Sequence, residues 1–332
     1  MLSKKQMRRL INSIYGAGNQ YGKQLERLYR RANRQIQGEI SAFLSSQLNW
    51  AGQPSKDDLE DVRAELEEAS SESVGPIVAG LLAAVTLGHP KNGDVETARI
   101  ALPMVRVAKV QHEQLARIQQ AVPQEVARAT VEQNRVTPEL HRVPYNYDVM
   151  LQHQVSDSVR QRVPDPANIN RNVQQTINRV RDVVKQASQS TDANPDWAKQ
   201  VERIITGGKT HGGASGRAKM IVRTQACHEL NKGTIADFKA RGVKQYRFMS
   251  LESVNSCKDC TELDGNIYDV DDAEEGVNLP PLHPNCQCWI VEYNDDDYGS
   301  GSDLEITEDS WFPIPGNQLL FWTFFGAVDK EH

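Results

Sequence analysis

Four of the five cysteines in this 332-residue chain stand in two short clusters. "SCKDC" gives Cys257-x2-Cys260, "LHPNCQC" gives Cys286-x-Cys288, and His283 lies three residues ahead of Cys286. A Cys-x2-Cys pair at a strand end makes a tight knuckle whose sulfurs converge on one tetrahedral ion. Cys286 and Cys288, two apart, project to the same side of a strand, and His283 can take the place of one of them. Four of the five residues Cys257, Cys260, His283, Cys286 and Cys288 therefore suit zinc, as four thiolates or as three thiolates and an imidazole. Pro280, Pro281 and Pro284 stiffen the second arm. Disulfides are the first competing reading, but they need an oxidising compartment, and the N-terminus shows no continuous apolar segment of the export type. Catalytic zinc is the second. A nucleobase-deaminase site needs His-x-Glu ahead of Pro-Cys-x2-Cys; here "CHE" (227–229) has no residue between His228 and Glu229, and "PNCQC" has the wrong gap. Glu262 and Asp264 stand near the first pair as candidate bases, although Asp264-Gly265 fits a turn. A closed four-ligand site leaves no position for water, so the expectation is structural zinc without enzymatic activity. Cys227, alone in a helical stretch, reads as a small core residue.

Apolar periodicity predicts helices over most of the rest. Met7, Leu10, Ile11, Ile14 and Tyr15 recur behind Ser3 as a candidate N-cap, and "GAGNQYG" then interrupts. A longer helix follows with Leu25, Leu28, Tyr29, Ala32, Ile36, Ile40, Phe43 and Leu44 on one face and basic residues on the other. "AGQPS" breaks it, and Ser55-x-x-Asp58 opens an acidic helix with Leu59, Val62 and Leu66 inward. The run "VGPIVAGLLAAVTLG" (74–88) predicts a buried helix, too short to span a bilayer. From 94 to 135 the pattern is helical, with interruptions expected at Pro103 and Pro123. "TPELHRVPYNYD" (137–148) and "VPDPANINRN" (163–172) read as connectors. Further helices carry Ile169, Val173, Ile177, Val180, Val184 and Ala187, then Trp197, Val201, Ile204 and Ile205. "GGKTHGGASG" (207–216) reads as a mobile loop, since it lacks the upstream glycine of a phosphate-binding P-loop. Ser215 to Gly242 predicts one helix, with Ala218, Val222, Ala226 and Leu230 in register and Gly242 ending it. The period then shortens to two in "VKQYRFMSL" (243–251), "GNIYDV" (265–270) and "CWIVEY" (288–293). The fold class is α+β and mostly α: a long helical N-terminal region, then a small antiparallel β module with a zinc-knuckle-like metal site. The segments expected are 1–136 helical, 137–194 connectors and a helix, 195–293 the metal-bearing domain, and 294–332 an acidic linker with an apolar tail.

Net charge is −6, so the chain as a whole is not built to coat nucleic acid. The charge is nonetheless polarised. Residues 1–35 hold nine Lys or Arg against Glu26 alone, and 292–310 hold eight acids and no base.

The string from "RAKMIVRTQACHELNKGT" through "SCKDCTELDGNIYDV" to "LPPLHPNCQCWI" closely resembles the C-terminal domain of phage Mu F-like minor head proteins, also called phage head morphogenesis proteins. Arg223-Thr224, Asn231, Gly233, Gly242-Val243, Cys257-x2-Cys260, Asp264-Gly265 and Pro281-Leu282-His283-Pro284-Asn285-Cys286-x-Cys288 carry the resemblance, over about 195–293. Gln287 stands where the family commonly has Arg. The resemblance implies a low-copy virion component that associates with the phage portal protein, sits in the capsid interior, and influences head assembly, genome packaging or delivery. Capsid or scaffolding protein are further partners on that reading, and no membrane span is expected. Lys4, Lys5, Arg8, Arg9, Arg27, Arg30, Arg31 and Arg34 are candidate contacts to packaged DNA through its phosphates. The alternative function is a metal-dependent hydrolase or nuclease acting at the portal vertex, or a plain DNA-binding virion protein. The tail "LLFWTFFGAV" (319–328) reads as a plug for a partner's groove, an added strand, or a cover over the chain's own core.

Overall fold

The computed structural model describes residues 4–136, 167–190, 196–208, 212–250 and 257–293. Ser3, the connector 137–148, the start of the second connector, and everything after Tyr293, including the acidic linker and the apolar tail, lie outside these residues. Eight α-helices and three strands are present among the described residues. They group into two compact units, one built from 1–20, 115–164 and 222–332, the other from 21–114 and 165–221.

Helix α1 (Lys4–Ser45) is continuous through "GAGNQYG", where an interruption was expected. Each helical glycine costs about 1 kcal/mol relative to Ala. Burial of Tyr15, Tyr21, Leu25 and Tyr29 on either side outweighs that. Its inward stripe runs as the periodicity predicts, with Ala32, Ile36, Ile40 and Phe43 buried. Helix α2 (Lys56–Ala69) opens on Ser55, whose Oγ accepts the Asp58 N–H at 3.0 Å, and buries Val62 and Leu66. Helix α3 (Gly75–Thr86) is buried on one side only: Ile77, Val78, Leu81 and Val85 point inward, while Ala79, Gly80 and Ala84 are exposed. Small residues on the outer face let an apolar run serve as a surface helix.

Helix α4 (Asn92–Val136) passes through both prolines that were expected to interrupt it. A helical proline costs about 3 kcal/mol or more, and one fully buried Leu, Ile, Val or Met returns about 1.5–3 kcal/mol. Ile100, Leu102, Met104 and Val105 are buried around Pro103, and Ile118, Val122 and Val126 around Pro123, so packing overrides the breaker. Helix α5 (Ala167–Gln189) takes in the second half of the expected connector and buries Ile169, Val173, Ile177, Val180 and Val184. Helix α6 (Trp197–Ile205) follows. Helix α7 (Gly213–Arg241) already includes the last glycines of "GGKTHGGASG", whose centre, 209–211, lies outside the description. Gly242 ends α7 at φ 73°; its N–H reaches the Lys239 carbonyl at 3.2 Å and the Val243 N–H reaches Phe238 at 3.0 Å. That double bond to the last turn is a Schellman cap, and the left-handed residue it needs favours glycine.

Strands β1 (Gln245–Met249), β2 (Ile267–Asp269) and β3 (Trp289–Tyr293) form an antiparallel sheet in the order β2-β1-β3. Tyr246 pairs with Tyr268 on one side and Glu292 on the other. A short helix α8 (Lys258–Leu263) lies between β1 and β2. Tyr246 on β1, Ile290 on β3, Val270, Leu279 and Phe238 of α7 make the buried core of this module. Arg241 of α7 bonds Asp237 at 2.9 Å and Glu292 of β3 at 2.7 Å, which ties the sheet to its helix. Buried His228 places Nδ1 2.8 Å from both Glu275 oxygens, and Gln225 donates to Glu229 at 2.7 Å. The two acids of the "CHE" neighbourhood are thus absorbed by internal bonds.

Candidate metal centre

The first arm of the site is the first turn of α8. Cys257 is its N-cap, in an extended conformation, and its Sγ accepts the Cys260 N–H at 3.3 Å. The Thr261 N–H and Oγ1 both donate to the Cys257 carbonyl, at 3.1 and 2.9 Å. The knuckle was expected at a strand end; it is built on a helix end instead. An N-cap needs a short side chain that accepts a backbone N–H, and Cys257 serves as one. Asp259 in the first turn suits the positive end of the helix. Asp264 caps the other end, where its Oδ1 accepts the Ser250 N–H at 2.6 Å, and Gly265 turns at φ 77°. Glu262, the other candidate base, lies on the solvent side and pairs with Lys258 at 3.5 Å.

The second arm is a turn at His283–Cys286. The Cys286 N–H donates to the His283 carbonyl at 3.1 Å, and Asn285 adopts φ 67°. The Asn285 N–H is bound by Thr224 Oγ1 of α7 at 2.9 Å. His283 Nδ1 is 2.8 Å from the Pro284 carbonyl, which can only accept, so Nδ1 carries the proton. Beyond the turn, the Cys288 carbonyl takes three donors: Tyr15 Oη at 2.9 Å, Asn231 Nδ2 at 3.0 Å and Cys227 Sγ at 3.4 Å. Burial holds the Tyr15 hydroxyl and the Cys227 thiol well above their ordinary pKa values, so both stay protonated and able to donate.

The donor atoms meet in two trios that share one sulfur. Cys257, Cys260 and His283 form one, and Cys260, Cys286 and Cys288 the other; within each trio every pair lies within 4.8 Å. His283 Nε2 is 3.1 Å from Cys257 Sγ and 3.2 Å from Cys260 Sγ, and the Cys260 and Cys286 sulfurs are 4.0 Å apart. Around a tetrahedral zinc-type ion the corresponding edges are roughly 3.5 Å for S···N and 3.8 Å for S···S. The cluster therefore has the composition and spacing to hold a metal ion. Cys260, Cys286 and Cys288 are buried, while Cys257 and His283 are half-buried. Hydrogen bonds from Cys227, Cys260 and Cys288 draw the Cys286 thiol well below its ordinary pKa, and the bond to Cys286 drives Cys260 well above its own. Thiols packed this closely cannot all ionise without a cation among them.

All five sequence-predicted ligands are thus brought to one place. The residues that sequence reasoning passed over are those that hold them. Asn231 carried a signal, a polar side chain one turn beyond Cys227 on the buried side of α7. Tyr15 carried none, because it looks like one more member of an apolar stripe. Of the basic residues, Arg9, Arg27, Arg30, Arg31 and Arg34 are exposed on α1, and Arg30 is paired with Glu26 at 2.6 Å. The side chains of Lys4, Lys5 and Arg8 lie outside the described residues.

No curated protein and no solved structure matches the chain significantly. Residues 178–291, about a third of its length, match the model of the family described as Phage Mu protein F like protein. That segment contains both arms of the Cys/His site, Thr224 and Asn231. Over residues 178–291 the chain is similar to the phage Mu protein F-like family, which supports the resemblance to phage head morphogenesis proteins read from its Cys/His motifs.

Proposed function

We propose that this chain is a head morphogenesis protein, a minor, portal-associated component of a tailed-phage virion in which a structural zinc ion locks the β module as a rigid docking piece. The observation that carries the reading is the Cys/His cluster itself, formed beside a small three-stranded sheet whose core cluster is Phe238, Tyr246, Val270, Leu279 and Ile290. A module that small gains from a metal what it cannot gain from apolar burial. Soft thiolates with one imidazole suit zinc. The two candidate bases support a non-catalytic role: Asp264 accepts the Ser250 N–H, and Glu262 faces solvent. Partners on this reading are the portal protein and neighbouring head proteins, at the capsid interior. Copurification with the portal protein, followed by metal analysis of the complex, tests it. The expected result is a stable complex with stoichiometric zinc and no turnover on DNA or peptide; hydrolysis that depends on the metal would favour the nuclease or hydrolase alternative.

A second reading, contact with packaged DNA, is favoured by the exposed arginines at 27, 30, 31 and 34 on α1. Deleting this helix is the wrong test, because it also buries Leu25, Tyr29, Ile36 and Ile40. Reversing charge at Arg27, Arg31 and Arg34 leaves that core in place. The triple variant is expected to lose a salt-dependent DNA shift without losing its melting transition. Equal binding by the variant would remove the DNA reading.

A further inference from the structure

Five candidate ligands compete for the four positions of a tetrahedral ion. We infer that the ion is held by Cys257, Cys260, His283 and Cys286, and that Cys288 stays outside as an anchoring residue whose thiol neighbours the ligand sulfurs. This rests on the proposal that a metal binds here, and deepens it by dividing the ligands from their support.

The first argument is the build of the two arms. Cys257 and Cys260 are three apart, on the first turn of α8, with the Cys260 N–H directed to Cys257 Sγ at 3.3 Å. His283 and Cys286 are also three apart, in a turn closed by the Cys286 N–H on the His283 carbonyl at 3.1 Å. The left-handed Asn285, at φ 67°, lets the chain reverse there, and Thr224 clamps that residue's N–H at 2.9 Å. Each arm thus presents two donors from one tight turn. Cys288 lies beyond the second turn, one residue before β3.

The second argument is the histidine tautomer. With its proton on Nδ1 facing the Pro284 carbonyl, His283 directs the Nε2 lone pair at the sulfurs of Cys257 and Cys260, at 3.1 and 3.2 Å. A carbonyl that fixes the far nitrogen is the usual support of a ligating imidazole. This removes the four-thiolate set.

The third is the role already taken by Cys288. No four of the five donor atoms lie mutually within 4.8 Å, so distance alone does not choose between Cys286 and Cys288. Cys288 is fixed by its own carbonyl, which Tyr15, Asn231 and Cys227 hold. Cys286 is positioned by the turn that carries His283, through its N–H on the His283 carbonyl. Its sulfur stands 4.0 Å from Cys260 Sγ, near the roughly 3.8 Å edge of a tetrahedral thiolate pair.

The test uses the full chain titrated with cobalt(II) as a zinc surrogate, whose thiolate charge-transfer absorption scales with the number of bound sulfurs. Wild type is expected to bind one equivalent with the intensity of three thiolates. Cys288→Ser keeps stoichiometry and spectrum, whereas Cys286→Ser loses affinity by roughly tenfold or more. His283→Cys raises the intensity to that of four. Should Cys286→Ser fail to fold, Cys286→His, which keeps a donor, is expected to bind one equivalent with two-thiolate intensity. Four-thiolate intensity in wild type, two bound equivalents, or loss of binding in Cys288→Ser comparable to that in Cys286→Ser would each overturn the assignment. A wild-type chain that takes up neither cobalt nor zinc would instead sink the metal reading itself, an outcome separate from a wrong ligand set.

Discussion

Glu96 is a carboxyl that folding disfavours in its charged form. It is 2% exposed on α4, and its Oε1 has no hydrogen-bond partner among the described residues. Burial first, and Glu39 second, push its pKa from an ordinary 4.5 up to about 8, against the pull of Arg99. Arg99 is itself committed to Asp58. Because the folded state holds this proton more tightly than the unfolded chain, the stability it lends is full below pH 4.5. It is lost as pH rises through 8, at roughly 1.4 kcal/mol per unit in between. Glu96→Gln should therefore raise the melting temperature at pH 8, by an amount equivalent to about 2–4 kcal/mol, and leave it unchanged near pH 4.5. Thermal melts at the two pH values check this; a gain of equal size at both would mean the carboxyl is not buried as described. At the same scale, the clustering of the candidate ligands was legible in the sequence because Cys-x2-Cys and His-x2-Cys are local patterns. Thr224, Asn231 and Tyr15 were not, because what they hold lies 61, 57 and 273 residues away.

Among the elements, the loop after α1 packs closely against the start of α4. The Asn92 and Gly93 N–H groups donate to the Gly52 and Trp50 carbonyls at 2.8 and 3.0 Å, satisfying two donors at the head of α4. A Cβ on Gly93 would stand 2.3 Å from the Trp50 ring. Gly93→Ala is expected to destabilise by about 2–3 kcal/mol, since the indole is trapped between the loop and α1, stacking edge-on with Phe43 at 5.7 Å. Gly80, exposed in the middle of α3, has nothing within 4 Å of an added Cβ. Gly80→Ala should stabilise by about 0.5–1 kcal/mol through helix propensity alone. Denaturant midpoints for the pair test both signs, and two shifts in the same direction would contradict the packing described. Helix interiors were well read from periodicity, while their breaks were not. Pro103, Pro123 and the glycines of α1 are local penalties, and the burial that overrides them comes from residues the local pattern does not include.

For the molecule as a whole, the sheet was legible because the period changed from helical to alternating after Gly242, and the candidate metal site because its Cys and His stand in two short clusters. The make-up of the first unit was not, since its described residues come from stretches far apart in the sequence. If an ion closes the two arms, chelation should act selectively. Hydrogen exchange in β1, β2 and β3 is expected to speed by roughly tenfold or more on adding a chelator and to recover with zinc. Amides of α2, α3 and α5 in the other unit should hardly respond. Uniform loosening of both, or none at all, would remove the ion from its proposed role.

The convergence of Tyr15, Asn231 and Cys227 on the Cys288 carbonyl also orders events in time. Tyr15 leaves the ribosome early, yet its acceptor is 273 residues downstream, tens of seconds later at ordinary elongation rates. Until then the Tyr15 hydroxyl lacks its Cys288 acceptor, so this buried contact closes only after the last strand emerges. A chain released just short of residue 288 would lack that acceptor, and the buried convergence of Tyr15, Asn231 and Cys227 would not form.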